Sequence, residues 1–306
     1  MFANRVRRNQ ARLAPAFARR QIDVFRLYDR DIPEIRAVAD WYAGHLVVGE
    51  YARTQTRDLD DWLPALAGAA AEALGIAADC VHTKVRRTRP EVGERYRKLG
   101  HASPRLIVRE GPLQFLVNLD DYLDTGLFGD HRETRRMVAA EVSGKHCANL
   151  FAYTGAFTVA MACGGAATTV SVDTSATYLG WLGDNLALNG QNGPAQTTAQ
   201  VDARTWLDWR ARHGQPLDLL VCDPPSFSDR PDGQFDVQRD HRALVEACLR
   251  VLRPGGVLWF SANHQRFVPA LAGLPVDVVE TTEQTVPVDY RNRAVHRSWR
   301  MVRHAA

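Results

Sequence analysis

The chain has 306 residues, 45 % of them hydrophobic and 24 % charged, a composition that supports a folded core and excludes disorder of the whole chain. The net charge is +3, which excludes a uniformly basic nucleic-acid coat, and no apolar run approaches the ~20 residues of a membrane span. Five scattered cysteines without a CxxC pair disfavour a disulfide framework or a zinc site, and fit a reducing, cytoplasmic compartment.

The charge is unevenly spread: residues 1–110 carry +6 and residues 111–306 carry −3. The opening MFANRVRRNQARLAPAFARRQI holds six arginines and no acid. Such a segment suits a basic arm on a phosphate backbone, a solvated helix, or a transit peptide, the last weakened by the absence of serine. Strand-like runs follow at Ile22–Tyr28, His45–Tyr51 and Val81–Val85, with an Ala- and Leu-rich helix over Asp58–Leu74 stopped by Gly75. Residues 86–100 are basic and turn-rich, which predicts a loop. Arg105–Val108 and Leu113–Leu119 bracket Glu110-Gly111-Pro112 as a hairpin. Five strands and one helix of a small α+β domain of β-β-α-β-β type are therefore expected over residues 21–120, behind a basic helical arm at 1–20.

From residue 121 to 306 the rhythm is that of a doubly wound α/β sheet. A helix is expected over Arg132–Val142. Strands are expected at Ala148–Phe151, Thr168–Val172, Ala199–Val201, Leu217–Cys222 and Val257–Ser261, with helices between them. Ligands of such sheets sit beyond the carboxyl ends of the strands. After the first strand, Gly155 permits a tight turn into a helix whose N-terminal amides suit an anion; the single glycine disfavours a dinucleotide fingerprint. The second strand ends at Asp173, 18 residues later, where nucleoside-binding domains place a ribose acceptor. Capping the helix after Ser175 is its other reading. Asp202 ends the third strand and suits an adenine amine or, equally, a helix cap. The fourth ends Cys222-Asp223-Pro224-Pro225-Ser226-Phe227: a carboxylate, a rigid rim of carbonyls and an aromatic face for a planar base.

Together these features resemble class I S-adenosylmethionine-dependent methyltransferases, a Rossmann-like fold, with the D-P-P-small-F loop used on planar bases. DYLDTGLFGDHRETRRM, NLFAYTGAFTVAMACGGA, VSVDTSATYLGWLGDNLALNG and DPPSFSDR, with MFANRVRRN and YRKLG earlier, are similar to the RlmK-type 23S rRNA guanine-N7 methyltransferases of the RlmI-like superfamily. Those form the C-terminal half of bacterial RlmKL fusions, so the chain looks like a free-standing version, and the coverage from Met1 argues against a transit peptide.

The resemblance implies S-adenosyl-L-methionine as cofactor, S-adenosyl-L-homocysteine as its product, and 7-methylguanosine formation. It implies that Asp223, Pro224, Pro225 and Phe227 shape the base pocket. Cofactor contacts are expected from Phe128, Asp130, Arg132, Asn149, Phe151, Tyr153, Thr154, Gly155, Asp173, Thr174, Ser175, Asp202, Ala203 and Asp223. RNA contacts are expected from Arg5, Arg7, Arg8, Arg12, Arg86, Arg87, Arg97 and Lys98. The expected partner is 23S rRNA or a large-subunit precursor, with a separate RlmL-like protein as a candidate partner, no membrane and no metal; oligomeric state stays open. 5-Methylcytosine or N2-methylguanosine formation, and a non-catalytic rRNA-binding assembly factor, are the competing readings.

Overall fold

A computed structural model describes residues 1–51, 59, 61–86, 103–230, 233–264 and 266–305. Its contacts divide the chain into two compact units: Met1–Gly129 with Val288–Asn292, and Asp130–Pro287 with Arg293–Ala306. The division falls at Gly129, beyond the residue-120 boundary expected from sequence.

The first unit opens with helix α1 (Phe2–Arg19). Its apolar residues recur at helical spacing, so Phe2, Val6, Leu13 and Phe17 form one buried face, and Arg5, Arg7, Arg8 and Arg12 lie exposed. Pro15 lies on the exposed side, where the carbonyl it leaves unbonded meets water. The arm expected over 1–20 is thus part of this unit's core, packed with α2 (Trp62–Leu74) against Phe25, Leu27, Leu46 and Val48.

The four-stranded sheet runs β1 (Val24–Asp29), β2 (Ala37–Tyr42), β3 (His45–Tyr51), β4 (Val81–Arg86). The first three strands are antiparallel, and β3 and β4 pair in parallel across α2. β5 (Leu106–Glu110) and β6 (Leu113–Val117) form the expected hairpin. Strand β2 corrects the five-strand reading to six among the described residues. Its sequence, AVADWY, carries alanines and an acid, a weak strand signal. Its turn into β3 is nevertheless built from Ala43 and Gly44, both at positive φ (47° and 101°), as a two-residue hairpin requires.

Val288–Asn292 joins this unit through buried polar contacts. Arg26 N–H donates to Asp289 (2.9 Å), Asn292 N–H donates to Asp29 (2.7 Å), and the Arg26 guanidinium stacks 4.4 Å over Tyr290. Tyr290 and Asn292 are thus packing residues of this unit, while Arg291 is exposed.

The second unit begins with α3 (Arg132–Ala139) and continues through β7 (His146–Leu150), α4 (Ala156–Cys163), β8 (Thr168–Asp173), α5 (Ala176–Leu188), β9 (Gln196–Gln200), α6 (Ala203–His213) and β10 (Leu217–Cys222). A hairpin of β11 (Phe227–Arg230) and β12 (Gly233–Asp236) leads into α7 (Val237–Val251) and β13 (Leu252–Ala262). β14 (Val276–Glu280), α8 (Thr282–Thr285) and β15 (Arg297–Arg303) complete it. The sheet order is β14-β15-β13-β10-β7-β8-β9, parallel from β13 to β9, with β15 and β14 antiparallel at one end. The Rossmann-like sheet is therefore as expected, extended by two strands that the sequence reading left unassigned.

Strand periodicity explains why both faces are dry. Ala148, Leu150, Leu220, Cys222, Leu258 and Phe260 pack on α6 and α7, and the alternate residues Cys147, Leu219, Val221, Val257 and Trp259 pack on α3 and α4. Among the described residues no helix is long and apolar enough to cross a membrane.

α1 is predicted to be structural on one face only. Phe17→Ala should cost roughly 3–5 kcal/mol, as large buried aromatics do, whereas Arg7→Gln, Arg8→Gln or Arg12→Gln should stay within about 0.5 kcal/mol, as exposed substitutions do. Urea unfolding of each variant measures both; equal effects would contradict the packing described.

Candidate functional site

Strand register sets the site. β7, β8, β10 and β13 pair so that Leu150, Val172, Cys222 and Phe260 form one row across the sheet. The next row, at the carboxyl ends, is Phe151, Asp173, Asp223 and Ser261. It crosses the junction between β7 and β10, where chain direction around the sheet reverses and a crevice opens.

The turn after β7 takes alternate residues through positive φ: Phe151 at 55°, Tyr153 at 50° and Gly155 at 81°. Gly155 is required twice over, because a Cβ there would also lie 2.3 Å from Leu182 Cγ on α5. Thr154 is buried, and its carbonyl accepts from the Asn185 amide at 2.9 Å. Tyr153 meets Tyr178 edge to face at 4.5 Å, and Phe151 stacks with Phe235 at 6.3 Å. Asn149 lies within the sheet, and its amide donates to Thr158 at 3.0 Å in a hydroxyl chain that continues to Ser171.

Asp173 closes this turn. Its Oδ2 accepts from Tyr153 N–H and its Oδ1 from Ser175 N–H, both at 2.9 Å, and Thr174 N–H also faces it. Burial pushes the carboxyl above its ordinary range, and the three backbone donors oppose that shift. Ser175 caps α5. Asp202 caps α6, accepting from Arg204 N–H (2.9 Å) and Thr205 N–H (3.3 Å), and the Ala203 side chain is buried in the core. Carboxylates just beyond two strand ends, beside a glycine turn opening α4, are an acceptor set that fits the hydroxyls and amine of an adenosyl group.

At the end of β10, Asp223 is 27 % exposed and is held on both sides: the Ser261 hydroxyl donates to Oδ1, and His131 Nε2 lies 3.5 Å from Oδ2. Pro224 is buried and Pro225 half-buried. Phe227 is 46 % exposed and meets His264 edge to face at 5.8 Å. The loop is fixed from two directions: the Ser226 hydroxyl donates to Asn263 (2.6 Å), and Val237 N–H donates to the Ser226 carbonyl (3.0 Å).

Asp130 and Arg132 open the second unit: Asp130 meets His296 Nδ1 at 3.0 Å, and the Arg132 side chain is buried. Phe128 belongs to the first unit and is exposed. Arg87, Arg97, Lys98 and the side chain of Arg86 lie outside the described residues. His241, near the site in sequence, points away from chemistry. Its Nε2 accepts from Ala270 N–H (2.8 Å), while Gln238 grips both backbone groups of Val268 and Arg242 donates to the Ala270 and Ala272 carbonyls. The Gln238–Arg242 stretch is a clamp on the chain after β13. Two residues that sequence reasoning did not single out are Ser261 and His296. Ser261 was legible only as the strand-end neighbour of Asp223; His296, 165 residues from His131, left no local signal.

A cysteine nucleophile has no place at this site. Cys222 and Cys248 are fully buried, burial pushes the Cys222 thiol far up, and the Cys147 thiol is pushed to about 12.

Gly155→Ala is predicted to destabilise the protein by roughly 2–4 kcal/mol through left-handed strain and overpacking on Leu182. It should also weaken S-adenosylmethionine binding in calorimetry. Unchanged stability and affinity would contradict this account of the turn.

A family model of S-adenosylmethionine-dependent methyltransferases matches residues 23–290. The ribosomal RNA large subunit methyltransferase K of Neisseria meningitidis is 38 % identical over 309 residues, covering 99 % of this chain and 87 % of the relative. The ribosomal RNA large subunit methyltransferase K/L of Shewanella loihica is 40 % identical over 317 residues, but the chain spans 43 % of that relative's length. A putative methyltransferase crystallised with SAH shares the fold, with a TM-score of 0.80 at 20 % identity over 98 % of this chain and 80 % of that one. The chain belongs to the S-adenosylmethionine-dependent methyltransferase family, in the branch whose curated members include proteins named ribosomal RNA large subunit methyltransferase K and K/L.

Proposed function

We propose that this chain methylates guanine N7 in 23S rRNA or a large-subunit precursor. The observation that carries the reading is the Asp223–Phe227 loop: an anchored, partly exposed carboxylate and an exposed aromatic ring at the strand end beside the Gly155 turn. The names of the Neisseria and Shewanella relatives supply the rRNA substrate.

S-adenosylmethionine supplies an electrophilic methyl group on a sulfonium centre. Asp173 and Asp202 would hold its ribose and adenine, and the Tyr153-Thr154-Gly155 turn its methionine end. Asp130 and Arg132 would add cofactor contacts. Guanine N7 carries an in-plane lone pair and no proton, so the chain needs no general base; alignment and electrostatics do the work. A target base extruded from its helix would stack on Phe227. Methylation leaves the ring cationic, and the Asp223 carboxylate with the Pro224 carbonyl offers the matching negative rim. The absence of an accessible cysteine here disfavours 5-methylcytosine, which requires attack on C6 by a thiolate. Arg5, Arg7, Arg8 and Arg12 on α1 would follow RNA phosphates, a sequence-independent contact weakened by salt.

Purified chain, 23S rRNA and methyl-labelled cofactor test the reading directly. Asp223→Ala should lower transfer by about 10²–10³, the scale of losing one preorganised charge partner, with the melting temperature kept. Wild-type activity in that variant would sink the assigned role.

A further inference from the structure

Asp223 does not stand alone. Behind it lies a buried row of three groups from two separate parts of the second unit: Asp130 and His131 ahead of α3, and His296 ahead of β15. His131 is 4 % exposed and His296 is fully buried. Their rings stack with centroids 4.2 Å apart and planes only 12° from parallel.

Among the described residues this is the one group close enough to suggest a metal, and its geometry argues against one. A metal lies in the plane of each imidazole that binds it, along a nitrogen lone pair. Parallel rings 4.2 Å apart aim their lone pairs side by side and never at a common point.

The contacts instead define a hydrogen-bonded line from Thr285 through His296 to Asp130, with His131 beside it at ion-pair distance from Asp223. His296 Nε2 faces the Thr285 hydroxyl (3.1 Å), and its Nδ1 faces Asp130 Oδ2 (3.0 Å), so His296 donates to Asp130. His131 Nδ1 faces the Thr134 hydroxyl (3.4 Å), and its Nε2 faces Asp223 Oδ2 (3.5 Å) and Asp130 Oδ2 (3.8 Å). A nitrogen between two carboxylates carries the proton, which leaves Nδ1 as acceptor from Thr134. With Asp130 already served by His296, the His131 N–H is available to Asp223.

We propose that His131 is a positioning residue for the Asp223 carboxylate, locked in plane by its stack on His296 and acting with Ser261 to fix both carboxylate oxygens for the incoming base. This rests on the reading of Asp223 given above. A hydrogen bond from Ser261 on β13 and the His131 ring ahead of α3, at ion-pair distance, flank opposite oxygens and limit rotation of the carboxylate about its bond. The charged and titratable groups around the ring are Asp223 at the end of β10, Asp130 on its own turn, His296 ahead of β15 and Arg135 on α3. Burial lowers the His131 pKa, which keeps the ring neutral, a single-proton donor.

The test is a substitution series in the full chain: His131→Gln, His131→Asn and His131→Leu. A glutamine amide reaches the Nε2 position; an asparagine amide reaches only the Nδ1 position; leucine fills the space without a donor. Methyl transfer to 23S rRNA gives kcat and KM, calorimetry gives cofactor affinity, and Asp223→Asn is measured alongside. Expected are kcat within about tenfold of wild type for Gln, and a loss of about 10²-fold for Asn and Leu, the scale of a misaligned reacting group, with cofactor affinity unchanged in all three. The Gln–Asn comparison stands even if the leucine variant does not fold. Equal kcat for Gln and Asn, or wild-type kcat for Leu, overturns the inference. If Asp223→Asn is impaired while all His131 variants are not, only the positioning role falls. If Asp223→Asn runs at the wild-type rate, the reading of Asp223 falls, and this one with it.

Discussion

Parallel pairing of four strands in one register is the constraint on which the rest depends. Because Leu150, Val172, Cys222 and Phe260 share a row, the residues that follow them emerge together at one edge, whatever their distance in sequence. A slip of one residue in β10 would either draw Asp223 into the row now held by Cys222 or bring buried Cys222 to the edge, since successive strand residues face opposite ways. The alternating packing of Leu219 and Val221 against α3 and α4, and of Leu220 and Cys222 against α6 and α7, specifies that register through burial on both faces. The hydrophobic core and the polar edge are therefore one design.

The same edge carries the strain. Three residues of the β7–α4 turn sit at positive φ, two of them with side chains, and each such residue costs about 1 kcal/mol or more. Helix α5 offsets this cost through Leu182 packing on Gly155 and Asn185 holding Thr154. Asp173 then accepts the Tyr153 amide of this turn and the Ser175 amide ahead of α5. Asp173 thus holds the backbone around the turn, and the proposed acceptance from a ribose would use lone pairs that this leaves over, so the two roles are not rivals at that position.

What was legible in the sequence is what is local. Gly155, Asp173 and the Asp223–Phe227 loop each announce themselves within a few residues, because a turn, a strand end or a proline pair is a short-range device. The parallel strands were legible as dense apolar runs. β2 was missed because its alanines give little β signal, and β14 and β15 because nothing nearby marks an antiparallel extension of a parallel sheet. The Val288–Asn292 excursion into the first unit was invisible for a related reason: its meaning lies in Asp29 and Arg26, some 260 residues away. His296 fell in the same class, a residue whose stack on His131 exists only once the sheet has closed. The modest +3 charge behaved likewise. It concealed a helix that buries one face and displays arginines on the other, a division that the arginine count alone does not reveal.

The central claim is the identity of the methylated atom, and nucleoside mass spectrometry of 23S rRNA from a strain lacking this chain tests it most directly. The account predicts loss of one 7-methylguanosine and its return when the gene is restored. Loss of N2-methylguanosine or 5-methylcytosine instead, or no lost modification at all, would contradict it.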